Sequence, residues 1–181
     1  MASTTVSALP RPGLRGSKRL LSVRDDDHLV ARTRAGEVAA FEVLYERHVP
    51  GVLSFSRHML GSRDEAEDAV QQAFASAHRD LLARDREIDF KPWIYTIARN
   101  RCLSMLRARH EHLPDDRERA TAGLDAEVQS RADLRELVAD LQDLPEDQRA
   151  ALLLSEVGDL SHAQIADILE CKVGQVKGLV H

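Results

Sequence analysis

The chain has 181 residues, 43% hydrophobic and 4% aromatic, with a formal net charge of −5. That length suits one or two small domains with aliphatic cores, and the negative balance excludes a generic polyanion binder, so any nucleic-acid site must be a local patch. No apolar run approaches the roughly 20 residues that span a bilayer. The basic N-terminus is not followed by the apolar segment of a signal peptide, so a cytoplasmic chain without membrane insertion is expected. Cys102 and Cys171 lie far apart and read as buried thiols in a reducing compartment rather than as a disulfide or metal pair.

Residues 1–23 are rich in Pro, Gly, Ser and Arg and lack periodicity, which predicts a flexible tail. Its Arg11, Arg15, Lys18 and Arg19 read as solvated rather than as a nucleic-acid contact. Asp25, Asp26 and Asp27 open the first helix, where acids complement the dipole. Neighbouring carboxylates diverge by about 100° on a helix, so they do not make a metal site. Leu29, Val30 and Ala31 begin the core and Gly36 interrupts it. Val38, Phe41, Leu44, Tyr45, His48 and Val49 continue at helical spacing. Pro50 is expected to start or kink a further helix carrying Val52, Leu53, Phe55, Met59 and Leu60. His48 and His58 lie too far apart for an i, i+4 metal pair.

Gly61 suits a helix end, and Ser62 with Glu65 forms a predicted capping box. Ala66, Val70, Ala73, Phe74, Ala77 and Leu81 then supply a buried stripe, with Asp64, Asp68, Gln71 and Gln72 largely on another side. A functional loop is expected from Leu82 to Phe90. Pro92 fits the first turn of the next helix, whose core stripe is Ile94, Ile97, Ala98, Met105 and Leu106. This helix carries Lys91, Arg99, Arg101, Arg107 and Arg109 without an acid between them, interleaved with Trp93 and Tyr95. Acid on one helix and base plus aromatics on the next suggest one module with two partners. The cationic face suits single-stranded nucleic acid, because every base has a stacking face. The acidic helix would repel that ligand and better suits a basic protein surface.

From His110 to about Ser130 the composition turns polar, with Pro114 and Gly123 and no core stripe until Leu124. That predicts a linker between two domains. His110 and His112 flank Glu111 without forming a ready metal site. Leu134, Leu137, Val138, Leu141 and Leu144 are helix-spaced, and Pro145 begins another helix with Ala150, Leu153, Leu154 and Val157 inside. After Gly158, Ser161 is an N-cap candidate with Gln164 at the capping-box position. Ala163, Ile165, Ala166, Ile168 and Leu169 pack inward or against the turn, and a break near Cys171 leads into a last helix from about Val173. Helix, tight turn, helix is the arrangement whose second helix enters the major groove.

In this order the segments resemble bacterial sigma factors of the sigma-70 class, in particular the extracytoplasmic-function (ECF) group, from about Asp26 to His181. GEVAAFEVLYERHVPGVLSFSRHMLGSRDEAEDAVQQAFASAHRDL is similar to the first part of that family's region 2. FKPWIYTIARNRCLSMLRAR is similar to the segment after it, and LPEDQRAALLLSEVGDLSHAQIADILECKVGQVKGLVH to region 4. The resemblance implies an all-α fold of two small helical domains. A region-2-like bundle is expected over residues 24–110, a flexible linker over 111–130 and a region-4-like helix-turn-helix domain over 131–181.

The resemblance also implies roles. Such proteins bind core RNA polymerase, at the beta-prime clamp and the beta flap, and direct it to promoters without catalysis, metal or cofactor. Asp64, Glu65, Asp68, Gln71 and Gln72 would dock on the clamp. Arg84, Arg86, Lys91, Trp93, Tyr95, Arg99, Asn100, Arg101 and Arg107 would hold the non-template strand of the −10 element, the 82–90 loop accepting a flipped base. Trp93 and Tyr95 have a competing role as core anchors. Ser161, His162, Lys172, Gln175, Lys177 and His181 would serve the −35 element, lysines to phosphates and Gln175 to base edges. An anti-sigma partner is expected. The family usually has Thr, Ser and Arg where Gln175, Gly178 and Leu179 stand, and its recognition helix runs on into an Arg-rich turn. The expectation is therefore a chain truncated at His181 or a weakened −35 contact. Two rivals remain open: a stand-alone helix-turn-helix regulator, and a helical metalloenzyme, for which no HExxH spacing, phosphate loop or nucleophile motif is present.

Overall fold

The computed structural model describes Leu21 and residues 23–112, 140–156 and 158–180. Apart from Leu21, which is buried in the core, and Val23, the expected tail lies outside the described residues, as do the 111–130 linker after His112, the Leu134, Leu137 and Val138 stripe, Val157 and His181. Among the described residues, helices with defined bounds follow in order: α1 Asp26–Arg34, α2 Val38–Leu60, α3 Arg63–Ala83, α4 Phe90–His112, α5 Glu146–Glu156, α6 His162–Leu169 and α7 Val173–Val180. Among the described residues there is no strand, as an all-α fold requires.

α1 starts where Asp25 accepts a hydrogen bond from the His28 amide at 2.9 Å, satisfying one orphan donor of the first turn. Asp26 ties α1 to α2, accepting from Arg47 and lying 2.6 Å from His48 Nε2. Burial pushes the Asp26 carboxyl up, but the bonds and charges of His48 and Arg47 outweigh it and hold it below the ordinary carboxylate range. Gly36 follows α1 with φ +86°, and Gly61 ends α2 with φ +70°, conformations open to glycine at little cost.

Pro50 neither starts nor breaks a helix: α2 runs through it unbroken. The proline removes one amide donor opposite the Glu46 carbonyl. Glu46 lies on the exposed side of α2. The capping box at Ser62 is half built. Ser62 Oγ accepts from the Glu65 amide at 3.4 Å, but the Glu65 carboxylate turns away to Arg109. The loop after α3 is shorter than expected, because α3 continues to Ala83 and α4 begins at Phe90.

α1–α4 enclose an aliphatic core with a few aromatic joints. Phe55, Phe90, Leu44, Met59, Leu60 and Ile94 are fully buried, and Phe55 meets Tyr95 edge-on at 5.7 Å between ring centroids. Removing a ring such as Phe55 costs about 3–5 kcal/mol in a core of this kind. α5–α7 build a smaller cluster around Leu154, Ile165, Ile168 and Val176. The two clusters join, α5 lying on α2 and α6 on α4. The seam is polar as well as apolar. Arg149, 6% exposed, donates to the carbonyls of Met59 at 2.7 Å, Gln142 at 2.8 Å and Leu144 at 3.1 Å. Gln142 Nε2 donates to the neighbouring His58 carbonyl at 2.5 Å, and Arg109 to Leu60 O at 3.2 Å. Three successive carbonyls at the α2 C-terminus, which the helix itself leaves unsatisfied, are thus met by side chains from elsewhere.

Candidate functional site

α3 carries Asp64, Asp68 and Gln71 at i, i+4 and i+7 spacing away from the buried stripe, so they share one side. Asp64, Asp68, Gln71 and Gln72 are all exposed. Glu65 differs: it is half-buried and paired with Arg109 of α4. Arg63 is spent on Glu67 at 2.9 Å. Apart from the Glu65–Arg109 pair, no ion pair among the described residues joins these acids to the cations of α4. The acidic face therefore stays open to an outside partner.

The basic residues divide into three groups. Asn100 and Arg107 are exposed, and Arg101 is half-buried with its Nε lacking a partner among the described residues. Lys91 and Arg99 face the second cluster and are answered by acids there. Lys91 Nζ donates to Asp159 O at 2.9 Å and lies 3.3 Å from Asp159 Oδ2. Arg99, 9% exposed, donates to Asp147 Oδ1 at 2.6 Å. Beside the Arg99–Asp147 pair lies a cleft of about 620 Å³, lined by Arg99, Asn100 and Arg107 of α4 and by Glu146, Asp147 and Glu170. The third group is the segment 84–89. Arg84 and Arg86 are exposed, and both reach Asp80 on the last turn of α3, at 3.1 Å and 2.9 Å.

The aromatics separate as well. Trp93 is half-buried, edge-on to Phe90 at 6.0 Å, with the Arg86 guanidinium 5.4 Å over its ring. Tyr95 corrects the expectation of a base platform. It is 3% exposed, and burial with the nearby Asp159 charge pushes its phenol up to about 12. A ring packed on Phe55 in the core cannot also stack on a base.

In the C-terminal hairpin, Ser161 and Gln164 complete the expected capping box. Ser161 Oγ is therefore occupied as a cap, while His162 beside it is exposed. Glu170 takes the left-handed turn at φ 55°, and three residues separate α6 from α7. Val176 is buried; Lys172, Gln175 and Lys177 are exposed. Gln175 has a second duty, its Oε1 accepting from the Lys172 amide at 2.9 Å at the start of α7. Gln164 also reaches across to Asp89 Oδ2 at 2.9 Å.

Sequence reasoning missed Asp147, Asp159 and Arg149. The first two carry no local signal, because only the docking of one cluster on the other brings them to Lys91 and Arg99. Arg149 did carry one: it stands four residues before Leu153 on the buried face of α5. Among the described residues no group of three His, Cys, Asp or Glu is placed to hold a metal ion, and no helix is long and apolar enough to cross a membrane.

Comparison with known proteins bears on the family and the fold. The family model for sigma-70 region 2 matches residues 44–111, and that for sigma-70 region 4 matches residues 134–181. The chain is 32% identical to the RNA polymerase sigma-H factor of Pseudomonas aeruginosa, over 89% of this chain and 91% of that protein. It is 31% identical to the ECF RNA polymerase sigma-E factor of Escherichia coli K12, over 86% and 88% of the two chains. Among solved structures, CnrH in complex with the cytosolic domain of CnrY superposes with a TM-score of 0.68 at 24% identity, covering 86% of this chain and 90% of that one. The sigma factor RpoE in complex with the anti-sigma factor NepR from Bartonella quintana gives 0.63 at 24% identity, over 79% and 91%. These likenesses extend the sequence match to the fold.

Proposed function

The chain belongs to the sigma-70 family of RNA polymerase sigma factors, in its ECF group, and from that premise we propose a division of labour among its surfaces. Membership makes it a factor that directs RNA polymerase in transcription, and the family is not catalytic. Asp64, Asp68, Gln71 and Gln72 dock on core polymerase, with Glu65 bracing α3 against α4 through Arg109. The 84–89 segment, Trp93, Asn100, Arg101 and Arg107 hold the non-template strand of the −10 element, joined by Lys91 and Arg99 once their acids withdraw. Lys172, Lys177 and Gln175 meet the −35 element, phosphates through the lysines and base edges through the glutamine.

One observation carries this reading. Two packed helices have opposite charge, yet Asp64 and Asp68 of α3 remain exposed, and only Glu65 is paired with α4. Exposed carboxylates beside a nucleic-acid-binding helix would weaken that helix's own ligand unless they served another partner.

The contacts across the seam add a step. Asp147 and Asp159 sit where phosphates belong, so promoter engagement requires the two domains to part. Polymerase, by holding the domains separately, supplies the energy for that opening. An inhibitory partner would gain by keeping them together, and the complex of the neighbour RpoE with the anti-sigma factor NepR supports an anti-sigma factor for this chain as well.

Run-off transcription tests the whole reading. Core polymerase from a related bacterium, supplied with the purified chain and a panel of ECF-type promoters, is expected to start at discrete sites that are silent without the chain. Absence of chain-dependent starts on every promoter, with binding to core polymerase also lacking, would contradict it.

A further inference from the structure

The connection between α3 and α4 is six residues long, Arg84 to Asp89. Five of the six side chains are exposed and charged; only Ile88 is packed against the core. A segment with so little buried apolar surface has little of its own to hold one shape. Its order must come from outside.

It comes from the surrounding helices, Gln164 of α6 holding the Asp89 end at 2.9 Å and three others the rest. Arg34, the last residue of α1, donates through Nη2 to the backbone carbonyl of Arg86 and places Nη1 3.3 Å from Asp85 Oδ1. Asp80 on α3 collects Arg84 and Arg86 with its two oxygens. Trp93 on α4 receives the Arg86 guanidinium over its ring. The Arg34 contact differs in kind from the others. It grips main chain, so it fixes the course of the segment whatever its side chains do. Its side chain is 22% exposed, and its Nε is buried without a partner among the described residues. The guanidinium is therefore lodged between α1 and the segment rather than extended into water. A planar fork suits this task, serving a carbonyl and a carboxylate at once from one rigid group.

We propose that Arg34 is a positioning residue for −10 recognition: it touches no DNA itself, but fixes the 84–89 backbone and so sets where Arg86 and the Trp93 shelf meet the strand. This rests on the reading that the segment contacts the −10 element. With Arg34 in place, Asp80 and Trp93 hold Arg86 in one orientation, and a base or phosphate meets a preformed edge. Without it, the segment samples many courses and discriminates poorly between bases.

The test compares full-length Arg34→Met, Arg34→Lys and a chain with residues 85–88 replaced by Gly-Ser-Gly-Ser. Each is assayed with core polymerase in run-off transcription on promoters carrying every base at each −10 position. Core affinity and thermal midpoint are measured alongside. Arg34→Met is expected to cut the best-to-worst base preference by about tenfold, the factor attached to one charge-assisted hydrogen bond, with core affinity within about twofold of the parent. Arg34→Lys should fall between, since one ammonium replaces a fork. If the Gly-Ser chain loses base preference and Arg34→Met keeps it, the role of Arg34 is overturned while the reading of the segment stands. If the Gly-Ser chain keeps full base preference, the reading of the segment falls, and this inference with it.

Discussion

Replacing Asp147 with lysine should open the closed arrangement of the two domains. Asp147 is 67% exposed and its partner Arg99 is 11% exposed, so the pair is worth the upper part of the surface range, about 1 kcal/mol. Reversal removes that attraction and adds a repulsion of similar size, about 2 kcal/mol in all. That is roughly a thirtyfold change in the ratio of closed to open chain. A ligand that binds only the open form gains affinity in proportion to the open fraction. Fluorescence anisotropy with a labelled single-stranded −10 oligonucleotide and the free chain reads the change directly. An added positive charge strengthens any nucleic-acid contact, so the control is Asp167→Lys, the same charge change at an exposed position of α6. Asp147→Lys should bind ten- to thirtyfold more tightly than the parent, and Asp167→Lys only about twofold. Equal gains from the two substitutions would refute masking of Arg99 by the second domain.

The remaining predictions concern stability and titration. Gly178→Ala should stabilise the C-terminal hairpin by about 1 kcal/mol, because a Cβ there meets nothing within 4 Å. Gly158→Ala should destabilise instead, by about 1–3 kcal/mol, since its Cβ would lie 2.6 Å from the Leu154 carbonyl oxygen; chemical denaturation measures both. Tyr95 and Cys102 have folded pKa values pushed up by burial, to about 12 and about 11. The unfolded chain ionises them first, so stability is full below the ordinary thiol and phenol values and declines as pH rises toward these values. Tyr95→Phe should flatten that alkaline decline, and an unchanged profile would remove Tyr95 as its cause. Asp26 has its pKa lowered, so its contribution is present above the ordinary carboxylate range and lost as pH falls through the lowered value; Asp26→Asn should shrink the acid loss of stability seen by circular dichroism.

Much of the fold was legible because helical spacing reports burial directly. The stripes Ala66 to Leu81 and Ile165 to Leu169 lie inside as their period requires. Pro50 misled because a missing donor is tolerable on the exposed side of a long helix, where both Glu46 and Pro50 lie. Glu65 misled because a nearby guanidinium competes with a backbone amide for the same carboxylate, and a charged donor makes the stronger bond. Tyr95 was readable in either role, and only packing against Phe55 decides it. The acids over Lys91 and Arg99 had no signature at all. They are contributed by a domain more than forty residues away for Arg99 and Asp147, and sequence spacing says nothing of how two separately built clusters meet.

Binding of the Asp68→Arg chain to core polymerase tests the central assignment most directly. Asp68 is exposed on α3, so reversal should leave the circular dichroism spectrum and thermal midpoint unchanged while core binding falls at least tenfold and chain-dependent transcripts disappear. A folded Asp68→Arg chain that binds core polymerase as tightly as the parent would contradict the docking of α3 on the enzyme.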